Sequence, residues 1–373
     1  IKQVSLIGLG RMGHGIAQVF AMAGFSVCGF DESNDVRQSL YSRIRDNLTA
    51  FVANGLINET EIDPILGRIE IFDSESKAAS SSQFVLEAIH EELTAKQEFF
   101  ARIEEVVKEE TILASNSSTF MISESNKKMR RPQRAIVSHW VNPPHIVPVV
   151  EVVPGPDTSE KVTKATIALH KKIGKLPVRI NREIPGFLIN RVQFAMIREV
   201  WDLYERGIAS KEDIDTAICG SIGFRLAICG PLTVCDFGGI NIWSTIYKEL
   251  APDLRHDAKL PEIIQKLVDT GRVGASVGGG IHDYDPEVVD EITSQRDDMM
   301  LSRSSDTARP LPRQLECRFA RLSSRIAEEH TGWERRRDQL LSQALTRLGA
   351  EQVGGMNESA LERLPNRTHH FGG

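Results

Sequence analysis

The 373-residue sequence lacks several features that mark particular classes of protein. No apolar run approaches the ~20 residues that a membrane-spanning helix needs, so we expect no membrane span. Positive charge is not in excess, because 51 acidic residues outnumber 45 basic ones and the net charge is −6. Without a large positive field, nucleic acid is not an expected partner. These two absences leave small molecules as the expected ligands.

Cysteine is scarce and forms no pattern. The five cysteines are odd in number and include no Cys-x-x-Cys pair, which argues against a disulfide framework and against a zinc knuckle. We therefore expect no metal centre, and we expect a reducing compartment, the cytoplasm.

The composition is that of a globular protein. Hydrophobic residues make up 41% of the chain and charged residues 26%, which is enough apolar mass for buried cores. At roughly 100–200 residues per domain, the length predicts two domains with an appendage.

A glycine-rich turn follows the first predicted strand. Residues 4–7 form a short apolar run, after which Gly8, Gly10 and Gly13 precede a helical pattern. In a dinucleotide-binding turn, the first glycine permits the tight turn, the second lets the backbone approach a pyrophosphate, and the third lets helix and strand pack closely. A second strand ends at Asp31, where a carboxylate would bind the ribose hydroxyls of NAD and repel the 2′-phosphate of NADP. This order favours NAD binding over a structural glycine turn in which Asp31 only caps a loop.

Strand-like and helical segments alternate as far as residue 183. Strand-like runs occur at residues 69–72, 84–89, 111–115, 134–139, 147–153 and 177–181, and helical stretches include residues 94–108 and 159–173. This alternation predicts an α/β fold with a Rossmann-type, doubly wound, mostly parallel sheet in a domain of residues 1–183.

From Pro185 onward the pattern changes to helix after helix. We predict helices at residues 187–205, 211–220, 241–250 and 261–270, within an all-helical domain of residues 184–301. Along the first of these helices, Leu188, Val192, Ala195 and Leu203 recur at helical spacing. We expect this apolar face to be buried, with a subunit interface as one candidate for its burial.

Residues 302–373 differ again, since lysine is absent beyond Lys266 while arginine becomes frequent. Residues 309–312 predict a linker, and residues 318–329 and 333–348 predict amphipathic helices. Because acids lie among the arginines, we expect a solvated extension, partly helical or disordered, that carries no chemistry.

Two predicted strand ends carry polar groups suited to alcohol oxidation. Open α/β sheets bind ligands at the carboxyl ends of their strands, which makes Ser118 and His139 candidates. A histidine takes and returns a proton near neutral pH, and a carboxylate such as Glu151 fixes its tautomer. Ser118 and Asn190 are suited to hold the hydroxyl oxygen. Spacing alone leaves open a core histidine, a capped loop acid, an N-cap serine and an interdomain asparagine.

The chain resembles the 3-hydroxyacyl-CoA dehydrogenase family in motifs that follow the family's order as far as about residue 300. These are residues 4–31, Glu87-Ala88-Ile89-His90-Glu91-Glu92-Leu93 with Lys96, Ser115-Asn116-Ser117-Ser118, His139-x-x-Asn142-Pro143, Glu151, and Pro185-Gly186-Phe187-Leu188-Ile189-Asn190-Arg191. The resemblance implies a catalytic pair, His139 and Glu151, with Ser118 and Asn190 on the substrate oxygen. It implies dinucleotide contacts at Gly8, Gly10, Arg11, Met12, Gly13, Asp31, Glu91, Lys96 and Asn116. It also implies a homodimer formed through the helical domain.

Within that family, His139-x-x-Asn142-Pro143-Pro144 and Pro148-x-x-Glu151-x-x-Pro154 resemble the λ-crystallin and L-gulonate 3-dehydrogenase branch. The chain departs from many relatives at residues 274–284, where they have Lys-Thr-Gly-x-Gly-Phe-Tyr, and at Trp140, where they have a smaller or prolyl residue. The expected function is NAD-dependent interconversion of a 3-hydroxy acid or 3-hydroxyacyl-CoA with its 3-oxo form. Two alternatives stay open: a biosynthetic ketone or imine reductase of the same fold, and a non-catalytic crystallin-like protein.

Overall fold

An eight-stranded sheet organises the first half of the chain in the computed structural model, which describes residues 1–285 and 287–307. The strands are β1 Gln3–Ile7, β2 Ser26–Phe30, β3 Ile69–Ile71, β4 Phe84–Glu87, β5 Ile112–Ser115, β6 Ala135–Trp140, β7 Val149–Val153 and β8 Leu176–Arg179. Their spatial order is β3-β2-β1-β4-β5-β6-β7-β8. Neighbours are parallel except β6 and β7, so β7 and β8 run against the other six strands. The predicted Rossmann-type, mostly parallel sheet is confirmed.

Helices cover both faces of this sheet. They are α1 Gly13–Met22, α2 Asn34–Gln38, α3 Leu40–Ala53, α4 Ile62–Leu66, α5 Glu75–Ser80, α6 Leu93–Val106, α7 Ile122–Ser125 and α8 Glu160–Lys172. Side chains of a strand point alternately to opposite faces, so Phe84 and Leu86 of β4 join one buried cluster and Val85 joins the other. The sheet therefore separates two apolar cores, as in other parallel sheets that are covered on both sides.

The second half is helical, as predicted. Its helices are α9 Ile189–Glu205, α10 Lys211–Ile218, α11 Phe224–Leu226, α12 Pro231–Gly238, α13 Ile240–Leu250, α14 Glu262–Asp269 and α15 Val289–Thr307. A hydroxyl cap starts α10, where Ser210 Oγ accepts a hydrogen bond from the Asp213 backbone N–H at 3.0 Å. The boundary predicted between residues 301 and 302 falls inside α15. The linker and the two helices predicted beyond it lie outside the described residues.

The helical half of the single chain exposes much of its apolar surface. No residue of α9, α12 or α13 is buried. Val192 on α9 is 62% exposed and Leu232 on α12 is 82% exposed. The expectation that the apolar face of α9 is buried is therefore wrong for the chain by itself.

The described part of the chain contains no single helix with both the length and the apolarity of a membrane span. One pair, Lys211–Leu226 and Pro231–Gly238, passes the test only together and with a bend of 90° between its members. Cys28, Cys219, Cys229 and Cys235 are free thiols.

Candidate active site

The reversal of direction between β6 and β7 brings His139 and Glu151 together. In this antiparallel register, His139 lies directly opposite Glu151. The Nδ1 atom of His139 is 2.7 Å from Oε2 of Glu151. Glu151 is completely buried and His139 is 5% exposed. A separation of twelve residues in sequence thus becomes one cross-strand contact.

The second carboxylate oxygen of Glu151 binds the backbone where the helical half begins. Its Oε1 accepts hydrogen bonds from the backbone N–H groups of Leu188 and Ile189, both at 2.9 Å. The preceding residue, Phe187, has a φ of 48°, a left-handed conformation that is uncommon for a bulky side chain. Its buried ring lies 5.8 Å from the His139 ring, centroid to centroid. This turn directs two backbone donors at a buried carboxylate that would otherwise lack partners.

A cleft of about 430 Å³ opens above His139. It is lined by Met12, Ala88, Ile89, Glu91, Lys96, Asn116, Ser118, His139, Trp140, Val141, Asn142, Asn190 and Gln193. Seven of the predicted site residues are in this set. Gln193 was not predicted, although its position three residues after Asn190 on α9 places both on one helix face. Within the described residues, Nε2 of His139 has no hydrogen-bond partner.

Two predicted polar residues meet at the rim of the cleft. Asn190 Nδ2 donates to the backbone oxygen of Ser118 at 3.2 Å, which links α9 to the loop after β5. The Ser118 hydroxyl is 3.4 Å from the hydroxyl of Thr119. Nearby, Asn116 Oδ1 accepts from the backbone N–H of Trp140 at 2.9 Å, which ties the ends of β5 and β6 together.

A buried ion pair forms one wall of the cleft. Lys96 Nζ lies 2.9 Å from Glu87 Oε1 and 3.2 Å from Glu91 Oε2. Glu91 Oε1 also accepts from the Ser117 hydroxyl at 2.6 Å. Burial raises the pKa of Glu91, but the hydrogen bond from Ser117 and the charge of Lys96 outweigh it, so the net pKa is lowered. Glu87, at the end of β4, is the buried partner of Lys96 and was not predicted as a site residue.

The glycine turn has the shape of a phosphate cradle. Gly8 has a φ of 94°, and a Cβ there would lie 2.4 Å from the backbone oxygen of Ala88. A Cβ on Gly13 would lie 1.8 Å from the backbone oxygen of Gly8, whereas one on Gly10 would meet nothing within 4 Å. The helix α1 has no side-chain cap and no acid in its first turn, so no side chain of its own competes with an anion at its N-terminus. The turn therefore fits a dinucleotide pyrophosphate.

Asp31 lies next to this turn at the end of β2. Its Oδ2 accepts from the Leu9 backbone N–H at 2.7 Å and its Oδ1 from the Ser33 backbone N–H at 2.9 Å. These bonds orient the carboxylate and leave each oxygen a further lone pair for a ribose hydroxyl. Arg11 is exposed on the turn itself.

Comparison with known proteins identifies the family. Residues 3–184 match the NAD-binding domain of 3-hydroxyacyl-CoA dehydrogenases, and residues 186–284 match the C-terminal domain of 3-hydroxyacyl-CoA dehydrogenases. The chain belongs to the 3-hydroxyacyl-CoA dehydrogenase family. It is an NAD-dependent oxidoreductase that acts on CH–OH groups, and NAD is its cofactor, as predicted.

Individual relatives of this dehydrogenase support the same assignment. A probable 3-hydroxybutyryl-CoA dehydrogenase of Bacillus subtilis is 36% identical over 287 residues, which are 76% of this chain and 98% of the relative. The lambda-crystallin homolog of Homo sapiens is 34% identical over 230 residues, 61% of this chain and 72% of the relative. The solved structure of 5-formyl-3-hydroxy-2-methylpyridine 4-carboxylic acid 5-dehydrogenase, described as an NAD+-dependent dismutase, has a TM-score of 0.76 and 29% identity, covering 81% of this chain and 97% of that one.

One departure from the family pattern, Trp140, adjoins His139 and lines the cleft of the dehydrogenase, whereas the other, residues 274–284, lies apart from the cleft. The Trp140 side chain is buried on the sheet face opposite to His139, with its ring 5.9 Å from Phe20 and 5.4 Å from His170. Residues 274–284 contribute nothing to the cleft above His139. Neither departure places a different side chain over His139.

A buried lysine supports the loop that follows His139. Lys175 Nζ donates to the backbone oxygens of Pro144 and Val147, both at 2.7 Å. Its Nζ also lies 5.2 Å from the centre of the Trp140 ring. Burial lowers the pKa of Lys175 to about 7. Sequence spacing gave no signal for this residue, because the loop and Lys175 meet only in the folded sheet.

Proposed function

We propose that the dehydrogenase interconverts a 3-hydroxy acid or a 3-hydroxyacyl-CoA with its 3-oxo form, with His139 as the general base and Glu151 as its partner. The 2.7 Å contact between His139 Nδ1 and the buried Glu151 is the observation that supports this best. The two backbone donors on Glu151 Oε1 keep the carboxylate in place, so the imidazole has one defined orientation.

The chemistry follows from this orientation. With Glu151 accepting a hydrogen bond from the Nδ1–H group, the unprotonated Nε2 of His139 is available to the cleft. In the oxidative direction, the hydroxyl proton of the substrate moves to Nε2 while Ser118 and Asn190 hold the oxygen. Bound NAD would supply the acceptor for the hydride that leaves the carbinol carbon. Glu151 stabilises the resulting imidazolium, which returns the proton when the reaction runs in reverse.

The glycine turn, Asp31 and the other residues of the cleft suggest how the cofactor is held. Gly8, Gly10 and Gly13 with the α1 N-terminus would take the pyrophosphate, and Asp31 the adenosine ribose. Met12 and Asn116 line the cleft between this turn and His139. Glu91 and Lys96 form its opposite wall.

The test is NADH formation from a panel of 3-hydroxy acids and their CoA thioesters at saturating NAD. His139→Gln should lower kcat by about 10²–10⁴-fold, the usual contribution of a general base, with NAD affinity unchanged. His282→Gln, at a histidine of the helical half that does not line this cleft, is the matched control. An unchanged kcat in His139→Gln would overturn the role of His139.

The same panel separates the alternatives. A biosynthetic reductase would consume NADH with ketones or imines and form little NADH from the hydroxy compounds. A non-catalytic, crystallin-like protein would show no turnover in either direction. The intact set of Ser118, His139, Glu151 and Asn190 favours the enzyme.

We also propose that the active form is a homodimer joined through the helical half. The supporting observation is the exposure of apolar residues along α9, α12 and α13, since large exposed apolar surfaces commonly mark protein–protein interfaces. A second copy of the same surface would cover it, since most soluble oligomers are symmetric dimers.

A further inference from the structure

The β6–β7 loop, residues 141–148, joins the two strands that carry His139 and Glu151. Its first two residues, Val141 and Asn142, line the cleft above His139. At its other end, β7 begins at Val149, two residues before Glu151. The position of this loop therefore shapes one wall of the cleft beside the reacting groups.

The hydrogen bonds within the loop close only one turn. The backbone oxygen of Pro143 accepts from the backbone N–H groups of Ile146 at 3.1 Å and Val147 at 2.9 Å. Proline has no N–H to donate, and three of the eight loop residues are prolines. Because buried backbone carbonyls need donors, the loop depends on partners from other elements.

Lys175, the residue before β8, supplies two of these partners. As described above, its Nζ donates to the backbone oxygens of Pro144 and Val147, both at 2.7 Å. The lysine backbone is fixed in turn, because its N–H donates to the backbone oxygen of His170 at 2.9 Å. The next residue, Leu176, donates its N–H to the oxygen of Pro148 at 2.9 Å. One ammonium group thus binds both ends of the segment from residue 144 to residue 147.

The surroundings of this ammonium group are unusual for a charge. Lys175 is 6% exposed, and among the described residues its Nζ is paired with no carboxylate. Besides the two carbonyls, it faces the ring of Trp140, the last residue of β6. Burying a charge without a counter-charge costs free energy. A methionine would fill nearly the same space without that cost, so packing alone does not account for the lysine.

The other contacts of the loop with the core are apolar. Ile146 is buried in a small cluster with Phe51 of α3 and Leu301 of α15. Apolar contacts of this kind exclude water but have no preferred direction. The orientation of the loop backbone therefore rests on the directional hydrogen bonds from Lys175.

We propose that Lys175 is a positioning residue for the dehydrogenase reaction: by holding two carbonyls of the β6–β7 loop, it keeps Val141 and Asn142 in place beside His139. This inference rests on the proposed function, which places the carbinol of the substrate at His139 Nε2. Lys175 does not line the cleft, so it acts through the loop. A misplacement of reacting groups by about 1 Å can lower a rate by about 100-fold, so a loosened loop should slow hydride transfer.

Three substitutions in the full chain test this role. Lys175→Met fills the space without a donor, and Lys175→Gln keeps two amide hydrogens on a shorter side chain. Lys172→Met is the matched control, because Lys172 is an exposed lysine whose Nζ lies 5.0 Å from the centre of the Phe25 ring and not at the loop. Each protein is assayed with saturating NAD and with 3-hydroxybutyrate and 3-hydroxybutyryl-CoA, unlabelled and deuterated at carbon 3. Urea unfolding gives the folded fraction at the assay temperature.

We expect Lys175→Met to lower kcat per folded molecule about tenfold or more, with the NAD dissociation constant changed less than about threefold. The deuterium isotope effect on kcat should rise, because hydride transfer becomes the slow step. Lys175→Gln should recover part of the loss and gives the same comparison if Lys175→Met does not fold. Lys172→Met should change kcat less than about twofold. Lower stability with an unchanged kcat and isotope effect would show a purely structural lysine and overturn the inference.

Hydrogen exchange separates this inference from the proposed function, because it needs no substrate. The amide hydrogens of Ile146 and Val147 should exchange about tenfold faster in Lys175→Met than in the unmodified chain, while those of β2 stay unchanged. Equal exchange at the loop amides in both proteins would contradict the role of Lys175. If the unmodified chain oxidises neither substrate, the proposed function fails, and the exchange rates still show whether Lys175 holds the loop.

Discussion

The two halves of the dehydrogenase differ sharply in how they are packed. In the sheet half, large side chains such as Phe20, Phe84 and Trp140 are at most 1% exposed. In the helical half, Phe224 is 67% exposed, Leu232 is 82% exposed and Tyr247 is 67% exposed. Both halves have regular secondary structure, but among the described residues only the sheet half contains hydrophobic core clusters of its own.

This difference indicates which contacts stabilise each half. Most helical stability in proteins comes from packing an apolar face rather than from helix propensity. The sheet half satisfies that requirement within one chain. The helical half needs another surface, and our proposed dimer supplies one.

Truncating one phenylalanine ring in each half tests this contrast with the largest expected effect. Phe84→Ala should lower the free energy of unfolding by about 3–5 kcal/mol, because it leaves a cavity between packed strands and helices. Phe224→Ala should lower it by less than about 0.5 kcal/mol at protein concentrations where the chain is monomeric. Urea unfolding of both variants measures the difference. Similar losses would show that the helical half has a core within the single chain.

Placing a charge on the exposed surface of α12 tests the proposed dimer. Leu232→Asp should raise the dimer dissociation constant about 100-fold, because it puts a carboxylate into an apolar interface. Sedimentation equilibrium of the unmodified chain should give about twice 41.5 kDa, and the variant should shift toward that single-chain mass. Leu176→Asp, at an exposed leucine of the sheet half, should leave the mass unchanged. A monomeric unmodified chain would contradict the proposal.

Acidification should lower the free energy of unfolding of the sheet half, and the change per pH unit should be smaller than the effects of the substitutions above. Burial lowers the pKa of His170 to about 3 and that of His145 to about 3. The unfolded chain therefore binds more protons than the folded chain between pH 6.5 and about 3, so stability is present above pH 6.5 and falls as pH drops through this window. Each histidine contributes a slope of up to about 1.4 kcal/mol per pH unit.

Urea midpoints at a series of pH values measure that slope. His170→Gln should flatten it by the share of one histidine, whereas His90→Gln, at a side chain that is 90% exposed, should leave it unchanged. A slope that is the same in all three proteins would show that His170 is protonated without cost in the folded state.

Much of the fold could be predicted because its signals are local. The glycine turn needs only Gly8, Gly10 and Gly13 between a strand and a helix, and the structure shows close backbone approaches at Gly8 and Gly13 and open space at Gly10. The four predicted helices of the second half are present, with ends shifted by a few residues. Periodicity also identified the apolar face of α9, but it gave no information on what covers that face.

Less of the site than of the fold could be predicted from the sequence. His139 and Glu151 are twelve residues apart, and this spacing is equally compatible with a core histidine and a capped loop acid. Their contact depends on β7 running antiparallel to β6. Lys175 was missed, because it supports a loop that is distant along the chain.

The sequence by itself determined the class of fold, the dinucleotide turn and the residues available for proton transfer. These follow from neighbouring residues, whose backbone preferences and apolar spacing act over one strand or one helix. Tertiary structure alone decided the register that joins His139 to Glu151 and the left-handed turn at Phe187 that completes the partners of Glu151. Each of these joins segments that are distant along the chain, and packing sets such contacts rather than local preference.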